Sequence, residues 1–388
     1  MRHHQAHQRR AGALLTAGVL LLLPLAACTS PSDSGSSPSG AATAKAGSAA
    51  EGEVAAAKKK VEPLLQPPTK INQTGKISGD ISSDKPLVVI TCELPQCTTI
   101  ANGTLEAAKA IGWKTKELAY KTTDGATLTS AMKEALTYDP FAVAPIGFSQ
   151  ALWDPLVPDF EKAGVIITPV AVGDTKPGGP VTQGSASQLD YSASGAAMAD
   201  WVTADSAANA HVLVQDVPAF AVLKAYGDGF KEEFPKSCSA CTMTTLDNAP
   251  AQLATNGIVP SVISELQKDP KIKYVVSTDT AFLAAGLPSA MKAAGITGVK
   301  IVGGSPDINS LQGIVSGSLA AVSATAEDQY GWTAVDIIAR TMTKTDVPDG
   351  DGGRVQMITV KDNVGTPSAA GLGYPKDYRD QFKALWGK

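Results

Sequence analysis

From residue 86 onward the chain alternates short apolar runs with longer amphipathic ones. Leu87-Val88-Val89-Ile90 is apolar and β-branched without alternation, the pattern of a strand covered on both faces within a parallel sheet. Residues 98–111 then place Ile100, Ala107 and Ile111 at helical spacing. The same reading predicts strands at 113–119, 141–146 and 165–168, helices over 126–138 and 150–163, and a fifth strand within 181–190. The alternation then starts again. It predicts helices over 192–207, 219–234, 252–268, 281–294, 307–316 and 329–341. Strands fall between them at 211–214, 242–246, 274–276, 299–302 and 319–323, with a last one at 355–360. In helix 252–268, Val259, Val262, Ile263 and Leu266 follow the i, i+3, i+4, i+7 rule of a helix buried along one stripe.

Alternating βαβ units imply parallel sheets with helices on both faces. Ten or more strands exceed one compact sheet over a single core, and a closed eight-stranded barrel would leave some over. Two similar doubly wound α/β lobes are therefore expected.

The first residues read differently. Arg2, Arg9 and Arg10 precede an apolar stretch through Leu20-Leu21-Leu22-Leu23, too short and wrongly flanked for a membrane span. It ends in Leu25-Ala26-Ala27-Cys28, which resembles the bacterial lipobox. That resemblance implies a signal peptide over 1–27 and lipidation of Cys28, hence a chain anchored on the outer face of the cell membrane. Residues 29–60 are rich in Ser, Gly, Ala and Pro and almost devoid of large apolar side chains. They cannot bury enough area to offset chain entropy, so 28–84 is expected to be a flexible stalk and lead-in, with Lys58-Lys59-Lys60 solvated.

An exported chain changes the reading of its 5 cysteines. Beyond Cys28, four remain in two close pairs, Cys92 with Cys97 and Cys238 with Cys241, and an oxidising exterior favours a disulfide in each. The Cys238/Cys241 spacing also suits a redox pair or half a zinc site. A redox pair normally opens a helix, however, and this one follows a helix end; a zinc site lacks partners.

Composition narrows the function. Hydrophobic residues make up 44% and charged residues 18% of the 388, as in a globular protein, and the net charge of −4 offers no basic face for nucleic acid. Of 4 histidines, only His211 lies beyond the expected signal. A Ser-His-Asp enzyme or multi-histidine metal site is hard to build from that. No phosphate-cradling GxGxxG or GxxxxGK[ST] motif is present, so no cofactor and no metal is expected.

Ligands of open α/β sheets sit at the C-terminal ends of the strands. The residues there are Glu93, Phe148 and Ser149, Asp174, Asp190, Phe220, Asn248, Asp279, Asp307 and Thr325. Carboxylates and amides with a few rings suit a small polar solute. Each acid is equally suited to capping a helix, and the two roles are compatible.

At this point the chain resembles type I periplasmic solute-binding proteins, the ribose/galactose-binding branch serving ABC importers, over roughly residues 85–360. The resemblance rests on Gly227-Asp228-Gly229-Phe230, Ser277-Thr278-Asp279, Val302-Gly303-Gly304-Ser305-Pro306-Asp307 and Thr325-Ala326-Glu327-Asp328-Gln329-Tyr330-Gly331. It implies two lobes joined by a three-segment hinge, with crossings near Asp190, near Thr325 and near 354–360. One lobe would be 85–190 with 325–354, the other 191–324 with 355–388. It also implies capture of a sugar or sugar-like solute by a monomer that docks on an ABC permease. By position, Lys224 matches an arginine that contacts hydroxyls, Asp279 and Asp174 match acidic contacts, and Thr325 matches a hinge glutamine.

Two departures stand out. The first loop holds Glu93 between cysteines in place of a stacking aromatic, and Gly303-Gly304-Ser305 replaces a Gly-Phe-Asp loop. Glu93, Asp174 and Asp279 together point toward a cationic or amine-bearing ligand. The rival readings are a sensor that hands the ligand-bound state to a signalling receptor, and an enzyme on the same fold, for which no nucleophile–base pair is found. A repressor of related fold would need a helix-turn-helix where this chain carries an export signal.

Overall fold

The computed structural model describes residues 39–324, 327–347, 357–368, 372 and 374–388. The expected signal, Cys28 and Thr325 lie outside them. The strands are β1 (Leu87–Cys92), β2 (Thr115–Tyr120), β3 (Ala142–Pro145), β4 (Ile166–Ile167), β5 (His211–Asp216), β6 (Thr242–Asp247), β7 (Tyr274–Ser277), β8 (Lys300–Gly303), β9 (Ala321–Ala324) and β10 (Met357–Thr359). They form two sheets, one in the order β2-β1-β3-β4, the other β10-β9-β8-β7-β5-β6. All paired strands run parallel except β10, which lies antiparallel to β9. Leu87, Val88, Val89 and Ile90 are wholly buried, as a strand covered on both faces requires.

The helices are α1 (Ser39–Val61), α2 (Pro95–Ile111), α3 (Gly125–Leu136), α4 (Val157–Ala163), α5 (Gln188–Asp205), α6 (Ala221–Ser237), α7 (Ala251–Ala254), α8 (Ile258–Lys268), α9 (Ala281–Ala284), α10 (Leu287–Ala293), α11 (Ile308–Ser316), α12 (Glu327–Thr343) and α13 (Tyr378–Trp386). Two helix pairs cross at glycine. On α2, a Cβ at Gly103 would stand 2.0 Å from the Asp328 carbonyl of α12; on α6, one at Gly229 would stand 2.0 Å from the Ser192 carbonyl of α5. The Gly227–Phe230 and Glu327–Gly331 motifs thus carry helix packing within each lobe.

Several expectations change. Residues 181–190 form isolated bridges, Ile167 to Val181 and Val170 to Ser185, not a fifth strand, because Gly178, Gly179 and Gly184 take positive φ. Helix 150–163 begins as two 3-10 turns, Gln150–Leu152 and Asp154–Leu156, where Pro155 and Pro158 lack the amide a longer helix needs. Helix 252–268 breaks into α7 and α8 at Asn256, which is left-handed, and Gly257.

The stalk differs too. From Ser39 it is helical, because alanine favours helix even where little apolar area is available. Ala57 and Val61 are buried, and Lys60, far from solvated alone, pairs with Asp200 at 3.2 Å and Glu233 at 2.5 Å. The last segment also departs from the expected lobe. After β10 the chain returns to the first sheet, and α13 seats Trp386 on Trp332 of α12, rings parallel at 5.4 Å. Arg379 clasps Glu106 of α2 at 2.8 Å.

Candidate functional site

The two sheets present their C-terminal strand ends to one cleft, which holds about 690 Å³ of empty space, its open mouth included. From the first lobe come Leu94 and Gln96 at the start of α2, Tyr120 at the end of β2, and Phe148 after β3. From the second come Phe220 at the start of α6, Asp279 and Phe282 after β7, and Ser305 after β8. Glu327, which opens α12, completes the wall. The Cys92–Cys97 disulfide ties the end of β1 to the first turn of α2 and forms part of the floor. The Cys238–Cys241 disulfide stands apart, at the turn from α6 into β6.

Three of the residues expected at the site line this cleft: Phe148, Phe220 and Asp279. Phe148 holds a left-handed backbone, φ 33°, which aims its ring inward against Tyr120 at 5.9 Å and Phe220 at 5.6 Å. Asp279 is almost fully buried. Its Oδ1 accepts from the Ala281 amide at 2.9 Å, and its Oδ2 has the Gln96 amide group at 3.5 Å. Burial, and next the Glu327 carboxylate, push the Asp279 carboxyl well above its ordinary range; the Asp307 charge adds to this.

The other described residues expected at the site do not line the cleft. Glu93 is exposed and accepts from the Thr122 hydroxyl at 2.6 Å; its partial burial is outweighed by the Thr122 hydrogen bonds, which hold its carboxyl below the usual range. Ser149 donates to Asp174 at 2.6 Å, and Asp174 also accepts from the Gln150 amide at 2.8 Å. Asp190 closes a capping box with Ser187 at the start of α5. Asn248 accepts from Gln215 at 3.0 Å and donates to Ser261 at 3.0 Å. Asp307 caps α11 through the Ser310 amide at 2.8 Å. Lys224 is exposed and paired with Asp228 at 2.5 Å. In each case the polar side chain already has a partner within its own lobe.

The cleft residues missed from sequence are Gln96, Tyr120, Phe282 and Glu327. Tyr120 and Gln96 follow strand ends and were open to the same argument. Tyr120 donates to the Ile146 carbonyl at 2.7 Å, and burial raises its pKa, with the Glu93 charge next. Among the described residues lining the cleft there is no lysine, arginine or histidine. No group of three or more metal-ligating side chains occurs among the described residues, and no described helix is long and apolar enough to cross a membrane.

No protein-family model and no curated protein sequence matches the chain. Solved structures do. GanP, a glucose-galactose binding protein from Geobacillus stearothermophilus, superposes with a TM-score of 0.63 at 13% identity, over 74% of this chain and 100% of its own. An ABC transporter solute-binding protein from Burkholderia graminis in complex with D-arabinose gives 0.63 at 15% identity, over 75% and 100%. One from Agrobacterium vitis with bound allitol gives 0.59 at 17%, over 73% and 98%. The fold is that of type I periplasmic binding proteins: two α/β lobes around a cleft.

Proposed function

We propose that the chain is an extracytoplasmic solute-binding receptor. It captures a small polar solute between its lobes and delivers it to the permease of an ABC importer. The observation that carries this reading is the cleft itself, walled by the strand ends of both sheets and bridged from lobe to lobe by Phe148 and Phe220. A solute touching both walls favours the closed form by its differential contacts. Arabinose and allitol in the neighbours make sugar-like solutes the first class to try. Binding without transformation suits a cleft whose two cysteines are bonded to each other. A lipid on Cys28 would hold the receptor beside its permease at raised effective concentration.

The test is a thermal-shift screen of the purified chain against sugars, polyols, nucleosides and amines. A solute at 100 times its Kd is expected to add about 2.7 kcal/mol of stability. Small-angle scattering on the same sample reads closure. A solute that stabilises without compacting the chain, or no stabilising solute at all, counts against the reading.

A further inference from the structure

We infer, resting on the solute-binding reading above, that the cleft selects a solute poor in hydroxyls, with a polar end set against Gln96, Asp279 and Ser305 and a compact apolar body held by the rings of Phe148, Phe220 and Phe282.

The polar groups gather on one side. The second sheet runs β9-β8-β7-β5, so the groups that follow its strands stand in the order Glu327, Ser305, Asp279, Phe220. The loops bearing Ser305 and Asp279 are tied together, since the Gly304 carbonyl accepts from the Thr280 amide at 2.9 Å. From the first lobe, Gln96 brings its amide group to 3.5 Å from the Asp279 carboxyl. At Phe220 the lining changes character: its ring meets Phe148, and Phe148 meets Tyr120. A solute lying along these strand ends has polar partners at one end and rings at the other.

Hydrogen-bonding capacity sets the second limit. Tyr120 spends its proton on the Ile146 carbonyl at 2.7 Å, and Thr122 spends its own on Glu93 at 2.6 Å. Glu327 is engaged within the chain. Asp279 gives one oxygen to the Ala281 amide, and burial, with the Glu327 charge next, raises its pKa and so favours the neutral carboxyl. The start of α6 is covered by Gly173 of the first lobe, where a Cβ would lie 2.7 Å from the Val222 amide nitrogen. Among the described lining residues, what remains for a solute is Gln96, Ser305, one Asp279 oxygen and the first amides of α2, which opens without a side-chain cap. That set serves a single polar end. Every hydroxyl of a sugar is both donor and acceptor, and one buried against ring or sulfur loses its water without gaining a partner.

The rest of the wall favours carbon. Leu94, Ile100, Ile146 and Leu223 join the rings and the Cys92–Cys97 bridge in the lining. Apolar area brought against them is stabilised in proportion to its extent. The amine-bearing ligand expected from Glu93, Asp174 and Asp279 loses its basis here. Glu93 and Asp174 are bonded within the first lobe and do not line the cleft, and the surroundings of Asp279 favour its neutral form. A solute of the class inferred differs from the arabinose and allitol bound by the neighbours.

The experiment uses pairs matched in carbon skeleton and unequal in hydroxyls: cyclohexanol against myo-inositol, and 1,2-hexanediol against allitol. Each is titrated into the full chain at pH 7.5 and followed by ligand-observed NMR. In at least one pair the hydroxyl-poor member is expected to bind about tenfold or more tightly than its polyol partner. That preference is expected to shrink in Phe282→Ala, whose thermal melt reports that it folds. A polyol that binds as tightly as its partner, or a preference untouched by Phe282→Ala, overturns the inference and leaves the receptor reading standing. If neither pair binds, the solute found in the wider screen decides: a polyhydroxylated one overturns the inference alone, and one with a single polar end supports it. Binding of nothing in either set counts against both.

Discussion

Phe148 and Phe220 meet across the cleft with ring centroids 5.6 Å apart and planes tilted by 56°. The first ring belongs to the loop after β3, the second to the start of α6, so the contact joins the two lobes. An aromatic pair is worth about 0.5–1.5 kcal/mol beyond its buried area. Phe220→Ala is therefore expected to shift the ligand-free chain toward an open form by up to about tenfold. Its scattering radius should exceed that of the wild type, with little change in melting temperature. Superimposable scattering curves would show that the lobes are held by other contacts.

Gly173 makes a harder test of closure. A Cβ there would lie 2.6 Å from the Ala221 carbonyl carbon and 2.7 Å from the Val222 amide nitrogen, both backbone atoms that cannot turn aside. The two sides of this contact come from opposite lobes, after β4 and at the start of α6. Gly173→Val should therefore fold, because each lobe keeps its core, yet fail to close. We expect a loss of solute affinity of at least about tenfold, with a melting temperature within a few degrees of the wild type. A variant that binds normally would show that the solute is held without full closure.

Much of the scaffold was legible because burial writes periodicity into the chain. β1 was readable from four apolar residues in a row, and α8 from Val259, Val262, Ile263 and Leu266. The same logic extends to α13, where Tyr378, Phe382 and Trp386 recur every fourth residue and are all buried. α1 was not legible by burial, since its residues are small, and alanine content was the cue. The site was less legible. Polar side chains after strands look alike whether they cap a helix or face a ligand, and Asp174 and Asp307 satisfy backbone amides. Rings after strands discriminate better, as Phe148 and Phe220 show, because no local partner satisfies them.

Asp279 predicts a pH dependence of the ligand-free chain. Gln96 of α2, Glu327 of α12 and Asp307 after β8 are the polar groups that bear on it, and none carries positive charge. An unfolded aspartate loses its proton near pH 4 (about 3.9), whereas folded Asp279 keeps its proton to higher pH. Between those limits the folded state binds more protons than the unfolded state, so stability falls as pH rises, by about 1.4 kcal/mol per unit. Asp279→Asn removes that loss. Its melting temperature relative to wild type should climb as pH rises above about 4, which the paired difference isolates from other titrating groups. A flat difference would mean that Asp279 ionises as freely in the fold as outside it.

A buried ion pair helps fasten α13 to its lobe. Asp336 and Arg340 of α12 are fully buried and bonded to each other at 2.6 Å, and the second Asp336 oxygen accepts from Trp386 Nε1 at 2.9 Å. Arg340 spends its other donors on the carbonyls of Gly75, 2.9 Å away, and Asp346, 3.0 Å away. The pair thus ties α12 to the lead-in segment and to the C-terminal helix. Burial alone pushes the Asp336 carboxyl up, and the Arg340 guanidinium works against that shift. Removing one charge strands the other in a fully buried site, at a cost of about 3–5 kcal/mol. Replacing both removes the desolvation penalty along with the attraction. Arg340→Met and Asp336→Leu are each expected to destabilise strongly. The double variant should recover part of that loss, falling short by the hydrogen bond to Trp386 Nε1, worth about 1.5–3 kcal/mol for a charged acceptor, and by the two Arg340 bonds to the Gly75 and Asp346 carbonyls. Denaturant unfolding of the four chains closes the cycle. If the two single losses simply add, the two charges do not depend on each other.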